Sequence, residues 1–347
     1  MNVRELARLA DLSPTAISHA LRGTNEVSAA TRQRVRALAD MVGYRPDPFI
    51  VQTMRRLRRP ADERQHACFA VVSFYDTPHP WEGSRHLTLI YQGMTRRANE
   101  LGYRLEPLWL RAPGMTYRRF RAVLDARGIE GVVCFGSPDF DQDFPTELDH
   151  YAMVTVGLSV RTRLHRVTSH FYNDTVRALE AVTRLGYRRP GLVVGRYEEA
   201  RSGHAYTAAY LGWCEHRLGP RRALPVHFDD RGEEAPLMGW LEANRPDVVI
   251  FVHLSEMLPR FRAILQKHEI QLPRDVGVAA LSHLLEGTGF SGMQQNQELI
   301  GMWAIELLVA RIASRDFGIP ANPRVEMVEG RWIEGTTLRA LAPPPVS

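Results

Sequence analysis

The sequence predicts a small all-α unit followed by a large α/β domain of two doubly wound parallel-sheet subdomains. Three observations carry this. The chain has 347 residues, well above the roughly 150 expected of one domain. Its first 60 residues hold 11 Arg and 5 acidic residues, whereas the remaining 287 hold 33 basic and 34 acidic groups. From residue 67 onward, continuous apolar runs alternate with amphipathic stretches, the rhythm of parallel strands covered by helices on both faces.

Composition narrows the function classes. Hydrophobic residues at 44% and charged residues at 24% suit a globular core. No apolar run approaches the roughly 18 residues of a membrane span, so no membrane partner is expected. "MNVRELARLADLS" is acidic by position 5 and has no long apolar stretch. It does not read as a signal peptide, and a cytoplasmic location is expected. Cys68, Cys134 and Cys214 share no CxxC spacing, which argues against a zinc site or a disulfide framework. Lys267 is the only lysine, so there is no GxxxxGK(S/T) phosphate loop. Gly287 to Gly292 spells GxGxxG, but a strand-like "SGMQQN" follows where a dinucleotide site needs a helix. No spacing is diagnostic of catalysis, and no enzyme, cofactor or metal is expected. The excess positive charge of the first sixth of the chain points to a polyanionic partner.

Three short helices are legible at that end. Leu6, Ala7 and Ala10 share one face of the first. Ser13 caps the second and Pro14 occupies its first position. Ile17, Ala20 and Leu21 then face inward, while Thr15, Ser18, His19 and Arg22 face outward. Ser28 caps a third helix whose stripe is Val35, Leu38, Ala39 and Val42, and Gly43 ends it. Two short helices joined by a few residues, the second polar on its outer side, describe a helix-turn-helix.

"VRELARLADLSPTAISHALRGTNEVSAATRQRVRALADMVGYRPDP" resembles the headpiece of the lactose-repressor/galactose-repressor (LacI/GalR) transcription factors, without a gap from Val3 to about Pro48. The resemblance implies that Pro14, Thr15 and His19 read bases. It implies that Ser13, Ser18, Arg22, Ser28 and Thr31 meet backbone phosphates, as hydroxyls and helix N-termini do elsewhere. Asp11 departs from the family's turn glycine but tolerates a left-handed backbone. Glu26 stands on the expected DNA side, where it would repel phosphates unless paired.

Residues 47–65 read as a basic hinge with Ile50, Met54 and Leu57 on one stripe. In the family this segment lies in the minor groove with a leucine wedge. Here Thr53 falls at the wedge position, leaving Met54 as the apolar candidate beside Arg55.

Residues 66–340 resemble the family's periplasmic-binding-protein-like regulatory domain, through "GMTRRANELGY", "RLGYRRPGLVVG", "LPRDVGVAAL" and "QQNQELIGMWAIELL". Crossings between the subdomains are expected near residues 160, 290 and 325, and a long helix from about Ser202 to Leu218. Ligands in such folds bind beyond the carboxyl ends of strands. Tyr75, Asp76, Ser137, Arg201, His253, Ser282, His283 and Gln295 are the candidate effector contacts. Three family anchors are replaced. Ala209 stands in place of an Arg, His253 and Leu254 in place of an Asn-Asp pair, and Ser282 and His283 in place of an Asp pair. Glu256, His253 and His283 would make a metal set only if the fold joined them.

The expectation is a homodimeric DNA-binding transcriptional regulator of the repressor type. Its double-stranded palindromic operator would be read by residues 1–46, and its small-molecule effector, a sugar or other metabolite, would sit between lobes. The competing classes are an exported solute-binding protein, an α/β enzyme with a basic arm, and a constitutive regulator whose large domain only dimerises.

Overall fold

The computed structural model describes residues 3–22, 26–44, 68–139, 142–144, 148–229 and 231–341. The chain forms two compact units, Met1–His66 and Ala67–Ser347.

The first unit contains α1 (Val3–Ala10), α2 (Pro14–Arg22) and α3 (Ala29–Met41). Its core is Leu6, Ala7, Ala10, Ile17, Ala20, Val35 and Ala39, closed by Leu21, Leu38 and Val42. Asp11 takes φ 52°, so the turn between α1 and α2 is left-handed at a residue that has a Cβ. The Ala16 N–H donates to Ser13 Oγ (3.1 Å) and the Thr31 N–H to Ser28 Oγ (3.1 Å). Both caps satisfy helix donors that would otherwise be orphans. Arg34 ties α3 to the end of α1 by donating to the Ala10 carbonyl (3.0 Å).

The second unit holds two six-stranded sheets, one per lobe. The first is ordered β11-β5-β4-β3-β1-β2 and is built from β1 (Cys68–Ser73), β2 (Arg104–Trp109), β3 (Gly131–Cys134), β4 (Ala152–Val156), β5 (His165–Ser169) and β11 (Val325–Val328). All of its pairings are parallel. The second is ordered β12-β10-β9-β8-β6-β7, from β6 (Pro190–Gly195), β7 (His227–Asp229), β8 (Val248–Val252), β9 (Gly277–Ser282), β10 (Ser291–Gln294) and β12 (Arg331–Ile333). Only its edge departs from the expected pattern, because β12 runs antiparallel to β10. The central strands are buried on both faces because helices cover both, hence their unbroken Val, Ile and Ala runs.

Three crossings join the lobes, at residues 170, 295–296 and 329–330 rather than near 160, 290 and 325. The first moves because "HRVTS" pairs with β4 in the first sheet before the chain leaves it. The long helix expected from Ser202 begins instead at Ala205, as α8 (Ala205–Arg217). Gly203 and His204 both adopt positive φ (65° and 66°). That double left-handed step breaks off a separate short helix, α7 (Arg196–Arg201), directly after β6. In the first lobe α4 (Arg85–Glu100) packs against α11 (Gln297–Ser314). A Cβ on Gly301 would lie 2.0 Å from the Ile90 carbonyl oxygen, so this approach needs glycine.

Candidate DNA-reading face and interlobe cleft

On the headpiece, Ser13, Pro14, Thr15 and Ser28 are exposed and Thr31 is half-buried. The Ser28 and Thr31 hydroxyls lie 2.8 Å apart. His19 is largely covered, and its Nε2 stands 3.0 Å from Glu26 Oε2. The partner found for Glu26 is thus the candidate base-reading histidine. Ser18 and Arg22 lie on α2, with side chains outside the described residues, as are Met54, Arg55 and the whole 47–65 segment.

The large unit has a cleft between its lobes, at the carboxyl ends of both sheets, with about 710 Å³ of space including its mouth. Six of the eight expected residues line it: Tyr75, Arg201, His253, Ser282, His283 and Gln295. Asp76 and Ser137 do not. Asp76 is exposed and pairs with Arg111 (2.6 Å). The Ser137 N–H donates to Ser159 Oγ (3.0 Å) and its own Oγ accepts from Asp139 N–H (3.1 Å), so it builds a turn. Their neighbours Tyr75 and Gly136 line the cleft instead.

The first lobe supplies a mostly apolar wall of Tyr75, Leu87, Ile90, Phe135, Val156 and Ile300, with the His86 imidazole among them. Burial pushes the Tyr75 hydroxyl up to about 12 against the pull of Arg201. The second lobe supplies Glu198 and Arg201 from α7, His253 from the end of β8, and Ser282 and His283 from the end of β9. Gln295, at the crossing, donates to the Tyr206 hydroxyl (2.9 Å).

Two contacts bridge the lobes inside the cleft. Arg201 Nη1 donates to His86 Nε2 (3.2 Å). The rings of His86 and His283 meet edge to face, with centroids 5.4 Å apart. Burial first, then the charge of Arg201, then His283, hold His86 well below the ordinary histidine pKa. Burial likewise lowers His283, Arg201 reinforcing it and Glu256 opposing it. Both rings are therefore neutral at neutral pH. His253 differs. Burial alone would lower it, but Glu198 (3.5 Å) and Asp229 (3.7 Å) flank its two nitrogens and raise it on balance.

Several buried polar atoms of the wall have no hydrogen-bond partner among the described residues. They are His86 Nδ1, both ring nitrogens of His253, Glu198 Oε2, Ser282 Oγ and Thr168 Oγ1. Buried polar atoms are ordinarily satisfied, so a cluster of exceptions lining both sides of one cleft marks a surface shaped for a polar occupant. Among the described residues, no group of three or more His, Cys, Asp or Glu is arranged to hold a metal ion. His253 turns to Glu198 and Asp229, whereas His283 turns to Ser255 (3.0 Å) and Glu256 (3.7 Å).

His86, Glu198 and Thr168 were missed from sequence. Glu198 was legible in principle, since "RYEEAR" directly follows the strand "GLVVG". His86 was not, because only the fold brings α4 to the cleft.

Residues 2–47 match the family model for bacterial regulatory proteins of the lacI family, and residues 179–338 that for the periplasmic binding protein-like domain. The two matches divide the chain into a lacI-family helix-turn-helix domain and a periplasmic-binding-protein-like domain. It is similar to the HTH-type transcriptional regulator TreR of Escherichia coli K12, 25% identical over 232 residues covering 65% of this chain and 67% of that one. It is also similar to the HTH-type transcriptional repressor CytR of the same strain, 23% identical over 289 residues covering 81% and 80%. Among solved structures, the lac repressor dimer bound to operator and the anti-inducer ONPF is 14% identical with a TM-score of 0.59, covering 98% of this chain and 99% of that one. The complex of the transcriptional regulator CelR with cellobiose is 18% identical with a TM-score of 0.56, covering 97% and 99%. These two show the shared fold. The chain is a transcriptional regulator rather than an enzyme, with a lacI-family helix-turn-helix headpiece and a periplasmic-binding-protein-like domain. Among the described residues, no helix is long and apolar enough to cross a membrane.

Proposed function

We propose that this LacI-family regulator acts in the cytoplasm as a homodimeric repressor on a palindromic operator, and that a small molecule in the interlobe cleft changes its DNA affinity. Residues 1–46 are the reading unit, 47–65 the hinge, and 66–340 the effector-binding and dimerising domain. The observation that carries DNA reading is α2. It is capped by Ser13, it exposes Pro14 and Thr15, and it sits within a family match that runs unbroken over residues 2–47. One headpiece reads only a few base pairs, so two-fold symmetry is needed for a specific site. Pro14, Thr15 and His19 face bases. Ser13, Ser18, Arg22, Ser28 and Thr31 face phosphates, with Met54 and Arg55 in the hinge.

Support for an effector is the wall of unpartnered buried polar atoms. CelR was solved with cellobiose, a precedent for a small polar ligand in this fold. The Arg201–His86 and His86–His283 contacts cross between lobes. A ligand that replaces them favours one lobe arrangement, and it shifts DNA affinity only by its differential affinity for the two arrangements.

The test is selection of duplexes from a random pool by the full chain, followed by titration of the selected site. The expected result is an inverted repeat bound by two chains. Failure to enrich any site, or enrichment of an asymmetric site bound by one chain, would overturn the reading. A selected operator whose affinity no small molecule alters would favour the constitutive regulator.

A further inference from the structure

We propose that the cleft takes a small monocarboxylate bearing several hydroxyl groups, a sugar acid in chemical class, with its carboxylate on Arg201. This rests on the effector reading above and narrows it to one ligand chemistry.

Charge carries the first half of the argument. Arg201 is half-buried at the end of α7, and none of the described carboxylates lies within ion-pair distance of it. Its contacts are the His86 ring nitrogen, which is uncharged, and the face of Tyr197 at 5.7 Å. The acidic groups nearest the cleft face its histidines instead. Glu198 and Asp229 flank His253, and Glu256 faces His283. Arg201 is thus a fixed cation without a counterion inside a partly desolvated cleft. A guanidinium in that setting matches a planar carboxylate, which it can hold through two parallel N–H donors. A phosphate monoester fits less well. It would bring up to two negative charges to one guanidinium, with the Glu198 carboxylate on the same cleft.

The second half is the hydrogen-bonding inventory. Ser282 is 3% exposed, Thr168 2% and His253 8%. Neither hydroxyl and neither His253 ring nitrogen has a hydrogen-bond partner among the described residues, nor does Glu198 Oε2. Hydroxyl groups both donate and accept, so a polyol chain can serve Ser, Thr, His and carboxylate atoms at once. The apolar wall of the first lobe, with Phe135 and Tyr75, suits the C–H faces of such a molecule.

The experiment is calorimetry and thermal shift of the full chain at neutral pH with gluconate, glucuronate, glucose, glucose 6-phosphate and serine. The expected result is binding of at least one hydroxy acid, with glucose at least tenfold weaker. Arg201→Ala should weaken the acid at least tenfold while keeping the wild-type melting temperature, and Arg201→Lys should recover part of the loss. Equal or tighter binding of glucose, the phosphate or the amino acid would overturn the proposal. So would acid binding unchanged in Arg201→Ala, or no binding by either hydroxy acid. Operator titration on the same preparation separates the two failures. If another small molecule alters operator affinity, the ligand class fails and the effector reading stands. If none does, the effector reading fails as well.

Discussion

The reading face of the headpiece and the interlobe cleft are both lined with serine, threonine and histidine, yet these side chains are treated in opposite ways. On the headpiece they are exposed or half-covered and locally satisfied. Ser13 caps α2, Ser28 caps α3 and meets Thr31, and His19 meets Glu26. In the cleft they are buried and lack partners, as at Ser282, His253 and Thr168. Physics asks for that difference. A DNA-reading face is water-covered between binding events, and its polar atoms lose little by waiting. A closed cleft withholds water, so each orphaned atom costs stability until something polar answers it. The difference teaches where binding free energy is stored. The headpiece gains it from charge and phosphate contacts at encounter, the cleft from atoms held unsatisfied in advance.

The largest expected effect comes from another such atom, next to a crossing. Asp174 is 2% exposed; its Oδ1 accepts from the Gly330 N–H (2.8 Å) and its Oδ2 has no partner among the described residues. Burial raises its pKa to about 6, partly offset by that hydrogen bond and by Arg177. The proton is therefore held more tightly in the folded chain than in the unfolded one. The associated stability is fully present below about pH 4 and is lost as pH rises through about 6. From that shift the loss is roughly 3 kcal/mol. Asp174→Asn should flatten this part of the pH–stability curve and raise the melting temperature at pH 8 by several degrees. A variant whose curve parallels wild type would show the carboxylate to be satisfied after all.

How much of this was legible in sequence differs between the same two regions. The headpiece was read almost residue by residue, because its signals are local. A cap, a proline at the first helical position, a terminating glycine and an i, i+3 stripe all act within a few residues, and the left-handed Asp11 turn follows from side-chain chemistry. The α/β rhythm was legible for the same reason. The cleft was legible only where strand ends predict it, as at His253, Ser282 and His283. Asp76 and Ser137 were one step out of phase with residues that do face inward. His86 and Glu198 needed knowledge of how α4 and α7 are set against strands far away in sequence, and no local pattern carries that. The break at Gly203 and His204, which gives α7 its own direction, was hidden because a histidine at positive φ has no sequence signature.

His19→Ala sharpens the comparison from the headpiece side. The substitution should change base preference at one symmetric pair of operator positions and cost roughly 1–3 kcal/mol in affinity for the selected site. Repeating the duplex selection with the variant checks this. An unchanged selected sequence would leave His19 as a packing partner of Glu26 and remove it from base reading.

The smallest effects are the most direct, because one substitution, serine to alanine, should act with different outcomes in the two regions. Ser13→Ala deletes an acceptor that the Ala16 N–H uses and should cost about 1 kcal/mol of headpiece stability. Ser282→Ala deletes a buried hydroxyl that no described protein group answers. It should change the stability of the large domain by less than about 0.5 kcal/mol, or raise it. Native-state hydrogen exchange of the full chain reads both regions in one experiment, through the amides of α2 and of β9. The account predicts a severalfold loss of protection in α2 for Ser13→Ala and unchanged or increased protection in β9 for Ser282→Ala. A loss of protection in β9 as large as that in α2 would mean that Ser282 is already satisfied, contradicting a cleft whose polar atoms are held for a ligand.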